Sequence, residues 1–318
     1  MKNVLNIFLL NFLFISCGTS DNSKNQNKIN NEPHENNALP SELKSNVKQL
    51  NINILWDLSD RIDNSINPSS PPQFERDIEI IKTLTEVFKL DMQKKGAYKA
   101  KSKIKVFFTP PPMDAAINSI AKNLSCDLSS FSGDGSNRKK KQAYDSLTKK
   151  FYENAIQIYN LTIQNNKEKK HWEGSDIWRF FKNDVKDYCI DPDSNYRNIL
   201  VILTDGYIYH KDSKNKQANR TMYILPEALK VLRNKLDWKT IFNKGDYGLI
   251  TTRNDLQNLE ILVLEINPSK EFKIDEDIIK AYLSKWFEEM GVPKENYSCF
   301  NTDLPENTKK RIEKFINK

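Results

Sequence analysis

Apolar residues along this chain fall into two spacings, and the two alternate. Residues 51–56 (NINILW) form a β-rich run that stops at Asp57 and predicts a buried strand. After a Pro/Ser loop at 67–72, Phe74, Ile78, Ile81, Thr85, Phe88 and Met92 recur at three- and four-residue steps. That spacing predicts a long amphipathic helix ending before Gly96. Residues 103–109 predict a second strand, stopped by Pro110, Pro111 and Pro112. Residues 198–203 are the strongest strand in the chain, and 259–266 predict another. Helices are expected over 113–124, 141–164, 175–188, 226–236, 278–290 and 306–316, with a Gly/Ser loop at 129–137. Strands alternating with helices predict an α/β fold, a Rossmann-like open and mostly parallel sheet with helices on both faces.

The first residues follow neither spacing. Lys2 gives a positive start, and 4–15 is an apolar run interrupted by Asn6 and Asn11, too short to span a bilayer. It ends in Phe14-Ile15-Ser16-Cys17, which resembles the lipobox of bacterial lipoproteins, with Phe14 where Leu is usual. The resemblance implies a signal peptide over 1–16, a lipid on Cys17, and a place in the cell envelope outside the cytoplasm. Residues 17–48 carry almost no large apolar side chain, so they cannot offset their chain entropy and are expected to be a disordered tether. Residues 49–318 are expected to form one domain with a helical insertion around 113–172. No later segment is apolar enough to cross a membrane, so the membrane is expected to be met through the N-terminal lipid alone.

Composition adds little. The net charge of +7 comes from 49 Lys+Arg against 42 Asp+Glu spread along the whole chain, so nucleic acid is not an expected partner. The basic tract 138–141 is expected to be a solvated helix end. Cys126, Cys189 and Cys299 lie in no CxxC and are expected to be free thiols, although an oxidising compartment would permit one disulfide among them.

Candidate chemistry lies where strands end, because ligands of open α/β sheets bind outside the carboxyl ends of the strands. Three motifs sit there: Asp57-Leu58-Ser59-Asp60-Arg61, Gly174-Ser175-Asp176-Ile177 and Thr204-Asp205-Gly206. In this order and on these elements they resemble the metal-ion-dependent adhesion site of the von Willebrand factor A domain family, over roughly residues 50 to 290. The resemblance implies that Asp57, Ser59, Ser175 and Asp205 hold Mg²⁺, a hard cation suited to carboxylate and hydroxyl oxygens. It further implies that a partner carboxylate completes the coordination. Arg61 departs from the family, standing where a second serine belongs. A guanidinium cannot ligate a cation. Either it folds back and pairs with Asp57 or Asp205, displacing the metal, or it points outward and leaves Asp60 to supply an oxygen.

The expected function is therefore a tethered binding module that recognises a protein or envelope ligand, with Tyr207, Tyr209 and His210 adding contact surface. A second reading is a hydrolase that uses Asp57 and Asp205 with His210 or His171 as base. A third is a metal-free structural part of an envelope assembly. No HExxH, GxSxG or P-loop is present.

Overall fold

The run at 51–56 becomes the centre of a sheet in the computed structural model, which describes residues 47–169, 172, 174–268 and 271–318. The first half runs β1 (Gln49–Trp56), α1 (Gln73–Lys99), β2 (Lys103–Phe108), α2 (Ala115–Ala121), β3 (Ser125–Asp127) and α3 (Ser136–Lys169). Next come α4 (Ile177–Asn183), α5 (Val185–Cys189), β4 (Tyr196–Leu203), β5 (Lys216–Gln217), β6 (Arg220–Thr221), α6 (Pro226–Leu229) and α7 (Trp238–Lys244). The chain closes with β7 (Gly248–Leu249), β8 (Leu259–Ile266), α8 (Ile274–Glu289), β9 (Tyr297–Asn301) and α9 (Pro305–Ile316).

The main sheet has six strands in the order β3-β2-β1-β4-β8-β9. All pairs are parallel except β2 with β3. The predicted α/β class and open, mostly parallel sheet are what the chain adopts. Strands β1, β4 and β8 have eight residues each, whereas the edge strands β3 and β9 have three and five. Trp56 lies opposite Phe108 on one side and Leu203 on the other, so three strands end level. Strand order reverses between β1 and β4, which places a crevice outside their carboxyl ends.

Helices cover both faces because the central strands are apolar on both. Ile52, Ile54 and Trp56 pack with Ile81, Leu84 and Phe88 of α1, Phe151 and Ile158 of α3, and Phe315 of α9. Leu55, Leu200, Ile202 and Ile261 pack on the other face with Phe181 of α4 and Ile278, Tyr282 and Trp286 of α8. Each such side chain contributes roughly 1.5–3 kcal/mol by leaving water. Asn51 and Asn53 of β1 are buried too. Asn51 donates to the Cys189 carbonyl at 3.0 Å and to Asn198 Oδ1 at 2.9 Å, which satisfies one side chain and ties α5 to the sheet.

Several helix boundaries differ from the sequence pattern. Helix α1 is interrupted at Gly96, whose φ of +72° suits glycine, and a last turn follows. The expected helix over 175–188 starts only at Ile177, because Ser175 is held in a β-bridge, and is divided at Asp184 into two short ones. The expected helix over 226–236 is regular only for Pro226–Leu229. Helix α3 begins at Ser136, ahead of the basic tract, so the tract lies within the helix, and Lys140 is not solvated. Its ammonium is buried and donates to the Ala97 and Ala100 carbonyls at 3.0 and 2.7 Å, where α1 ends. Strands β3 and β9, helix α7 and the small three-stranded sheet β5-β6-β7 are not predicted by the sequence pattern.

Cys126, Cys189 and Cys299 are free thiols. No helix among the described residues is long and apolar enough to cross a membrane. The signal peptide, Cys17 and nearly all of the tether, through residue 46, lie outside the described residues.

Candidate functional site

Where β1, β4 and β8 stop, their loops are tied to each other by backbone hydrogen bonds. Asp57 N donates to Leu203 O at 3.1 Å, Thr204 N to Leu264 O at 3.2 Å, and Asn267 N to Asp205 O at 2.9 Å. The Asp57 carboxylate is buried and committed on both oxygens. Oδ1 accepts from Ser59 N and Oδ2 from Thr204 Oγ1, each at 2.9 Å. The first bond turns the chain into the short 3-10 turn Asp60–Ile62. Asp205 Oδ1 accepts from Tyr207 N at 2.9 Å.

Arg61 folds inward and is 2 % exposed, so the outward orientation is not adopted. Its Nε donates to Asp57 O at 3.1 Å and lies 3.7 Å from Asp57 Oδ2. Its Nη2 donates to Leu203 O at 3.1 Å and to Asp77 Oδ2 at 2.5 Å. The main partner is thus Asp77 on α1, a residue the motifs did not include. Asp77 also accepts from Tyr159 Oη at 2.5 Å and from Gln73 Nε2 at 3.1 Å, and Gln73 in turn donates to Glu265 at 3.1 Å. Sequence reasoning missed Asp77, Gln73 and Glu265. One signal was available: Asp77 lies four residues before Ile81 and seven before Leu84, on the apolar stripe of α1.

Charge at this edge is unbalanced. Burial and the neighbouring Asp57 raise the Asp205 carboxyl to about 7, only partly opposed by Arg61. Burial and Asp57 raise Asp60 as well, and burial and Asp77 raise Glu265. Burial alone would lower Arg61, but Asp77 and Asp57 outweigh it and hold the guanidinium charged. A cleft of about 440 Å³ opens here, lined by Asp60, Arg61, Gln73, Asp205, Tyr207 and Asn267 among others.

The Gly174–Ser175 turn reaches the same edge from the other side. Ser175 N donates to Tyr209 O at 2.7 Å and Tyr209 N to Ser175 O at 3.1 Å. Gly174 has a φ of +80°, and a Cβ there would lie 2.3 Å from Tyr209 O, so the bridge requires glycine. Leu58 and Gly174 line one cavity, while Asp60 and Arg61 line the cleft with Asp205. The turn carrying Asp57 and Ser59 therefore adjoins both. The Ser175 hydroxyl is buried and has no hydrogen-bond partner.

His210 belongs to a different cluster. Its Nδ1 lies 3.4 Å from Asp176 Oδ2, and Asp176 also accepts from Ser213 Oγ at 2.6 Å and pairs with Arg179 at 3.0 Å. No histidine contact to Asp57 or Asp205 occurs among the described residues, and His171 lies outside them. Tyr207 lines the cleft, and Tyr209 forms the bridge.

Whether these residues suit Mg²⁺ turns on which oxygens remain open. No group of three or more His, Cys, Asp and Glu side chains among the described residues is arranged to hold a metal ion, so hydroxyls would have to share the task. Asp205 has one uncommitted carboxylate oxygen, Asp60 and Ser59 have uncommitted side-chain oxygens, and the Ser175 hydroxyl lacks a partner. These are hard donors of the type Mg²⁺ takes, and a ligand would relieve the cost of the unsatisfied Ser175 hydroxyl. The charge of Arg61, the obvious obstacle, is met by Asp77. The donor types are those a hard cation takes, with Asp60 and Asp205 on the cleft and the Gly174–Ser175 turn on the neighbouring cavity. No protein-family model matches the chain, and no curated protein or solved structure matches it at a significant level.

Proposed function

We propose that this domain is a binding module of von Willebrand A type, recognising a protein or envelope ligand at the edge formed by the turns at 57–61, 174–176 and 204–207. In this reading Cys17 carries the lipid that tethers it to the envelope. Asp205, Asp60, Ser59 and Ser175 hold Mg²⁺, with Asp57 behind them. A bound cation supplies an electrophilic point for a carboxylate of the partner, and Tyr207 and Tyr209 flank it, whereas His210, buried against Asp176, adds no contact surface.

The observation that carries the reading is Asp205. Its carboxyl borders a cleft at the reversal of strand order, has an open oxygen, and is raised to about 7. Asp77 has already engaged Arg61, the basic residue lining that cleft, so the acids facing the opening still require a cation or protons. Calorimetric titration of Mg²⁺ into the protein and into Asp205→Asn, paired with affinity capture of envelope extracts with Mg²⁺ or chelator, tests this. Saturable Mg²⁺ binding lost in Asp205→Asn, and capture that chelator abolishes, support it. If Mg²⁺ gives no heat and chelator changes nothing, Arg61 alone closes the edge and the metal-free structural reading replaces this one.

A further inference from the structure

The core-facing stripe of α3 changes character along its length. Leu147, Phe151, Ala155, Ile158 and Tyr159 are buried apolar residues packed in the core. At the next three- and four-residue steps the same stripe carries Thr162, Asn165 and Asn166. Thr162 is 5 % exposed, and its hydroxyl has no hydrogen-bond partner. Burying an unsatisfied hydroxyl is destabilising, and valine would fill the same space without that cost. Such a choice at a core position points to a ligand.

The two asparagines are set in place by their own bonds. Asn165 donates its amide to Asp114 Oδ2 at 2.5 Å, and Asn166 donates to the Thr162 carbonyl at 2.8 Å. Each amide is thereby oriented with its carbonyl oxygen as the uncommitted acceptor. Thr162, Asn165 and Asn166 line a cavity of about 70 Å³ together with Leu58, Pro110 and Met113. At roughly 10–15 Å³ per water on this measure, the cavity holds on the order of half a dozen waters, the displacement of about one sugar ring.

We propose that this cavity binds one neutral saccharide unit. The Asn165 and Asn166 carbonyl oxygens and the Thr162 hydroxyl can all accept, and the hydroxyl and each amide's second N–H can donate, so a ligand whose groups both donate and accept suits it. Among the described residues no lysine or arginine lines it, which argues against a phosphate or carboxylate ligand. An ammonium would have to leave water for neutral dipoles, since the Asp114 carboxylate is already engaged by Asn165 and by Ala116 N. A pyranose supplies several hydroxyl donors for Thr162, Asn165 and Asn166, and a C–H face for Leu58, Pro110 and Met113. The inference is independent of any cation at Asp205.

The test uses the whole chain and two variants, Thr162→Val and Asn166→Ala. Glucose, galactose and N-acetylglucosamine are titrated to tens of millimolar, with N-acetyl-lysine amide as the competing chemistry, by saturation-transfer NMR and calorimetry. At least one sugar should bind, and Thr162→Val should weaken it tenfold or more while raising the melting temperature, because the unsatisfied hydroxyl is gone. Asn166→Ala should weaken it too. The proposal is overturned if no sugar binds the unaltered protein, if Thr162→Val binds sugar as well as the parent, or if the amine binds this cavity instead.

Discussion

The Arg61 guanidinium donates to the Asp77 carboxylate across 2.5 Å, and neither side chain is exposed beyond 2 %. The contact ties the turn after β1 to the start of α1 and decides how much charge is left for the cleft. A buried pair is weak evidence for stability as a whole, but removing one partner strands the other in a dry site.

Arg61→Met and Asp77→Asn should therefore each destabilise the fold by about 3–5 kcal/mol. The double variant should lose clearly less than the sum of the two. Urea unfolding of the four proteins measures this, and strict additivity would show that the two charges are not coupled.

The pH dependence follows from Asp205. Its carboxyl titrates near 3.9 in an unfolded chain but at about 7 when folded, so the folded state holds the proton more tightly. The stabilisation is complete below the unfolded value and is lost as pH rises through the folded one. Asp60 and Glu265, raised by burial, act in the same direction. Without Mg²⁺, the melting temperature should fall between about pH 4.5 and 7.5, and Asp205→Asn should flatten the fall. Mg²⁺ favours the ionised form and should restore stability at the upper end. A variant profile parallel to that of the parent would count against this placement of Asp205.

Gly174→Ala should push Ser175 and Tyr209 apart, because the new Cβ would meet a backbone oxygen at 2.3 Å. A loss of about 1–3 kcal/mol is expected from strain and the broken bridge. Gly133→Ala is the control, since its φ of +71° is similar but nothing lies within 4 Å. Equal losses in chemical denaturation would mean that the Ser175–Tyr209 bridge contributes nothing.

The anchor is tested apart from the domain. Under the proposed lipidation, Cys17→Ser should move the protein from the membrane pellet to the soluble fraction. Retention in the pellet after a high-salt wash would remove the lipoprotein reading and leave the domain's chemistry untouched.

The sequence was most legible where burial is two-sided. The runs of β4 and β8 declare themselves as continuous apolar stretches, and β1 is buried almost throughout, while β2 alternates between half-buried and buried positions. Strand β9, Tyr-Ser-Cys-Phe-Asn, is half-buried throughout and pairs only with β8, so its pattern is mixed. Ser175 sits beside a helical pattern, yet its backbone is claimed by Tyr209, a partner 34 residues away that no local rule reveals. At the site, Asp57, Arg61 and Asp205 were visible because each ends or follows a strand. Asp77 was marked only by its place on the apolar stripe of α1, and Glu265 by nothing local, because its partner Gln73 is 192 residues away.

The taper of the main sheet bears on how copies of this protein meet in concentrated solution. A long unpaired strand edge is a template for another chain, and natural proteins blunt it by shortening it or charging it. Here the eight-residue strands are interior, while β3 offers three residues ending in Asp127 and β9 offers five. Both margins offer a second molecule fewer consecutive backbone groups than the interior strands would, which disfavours lengthening of the sheet. Contacts between copies are thereby steered toward side chains and away from strand addition at this sheet.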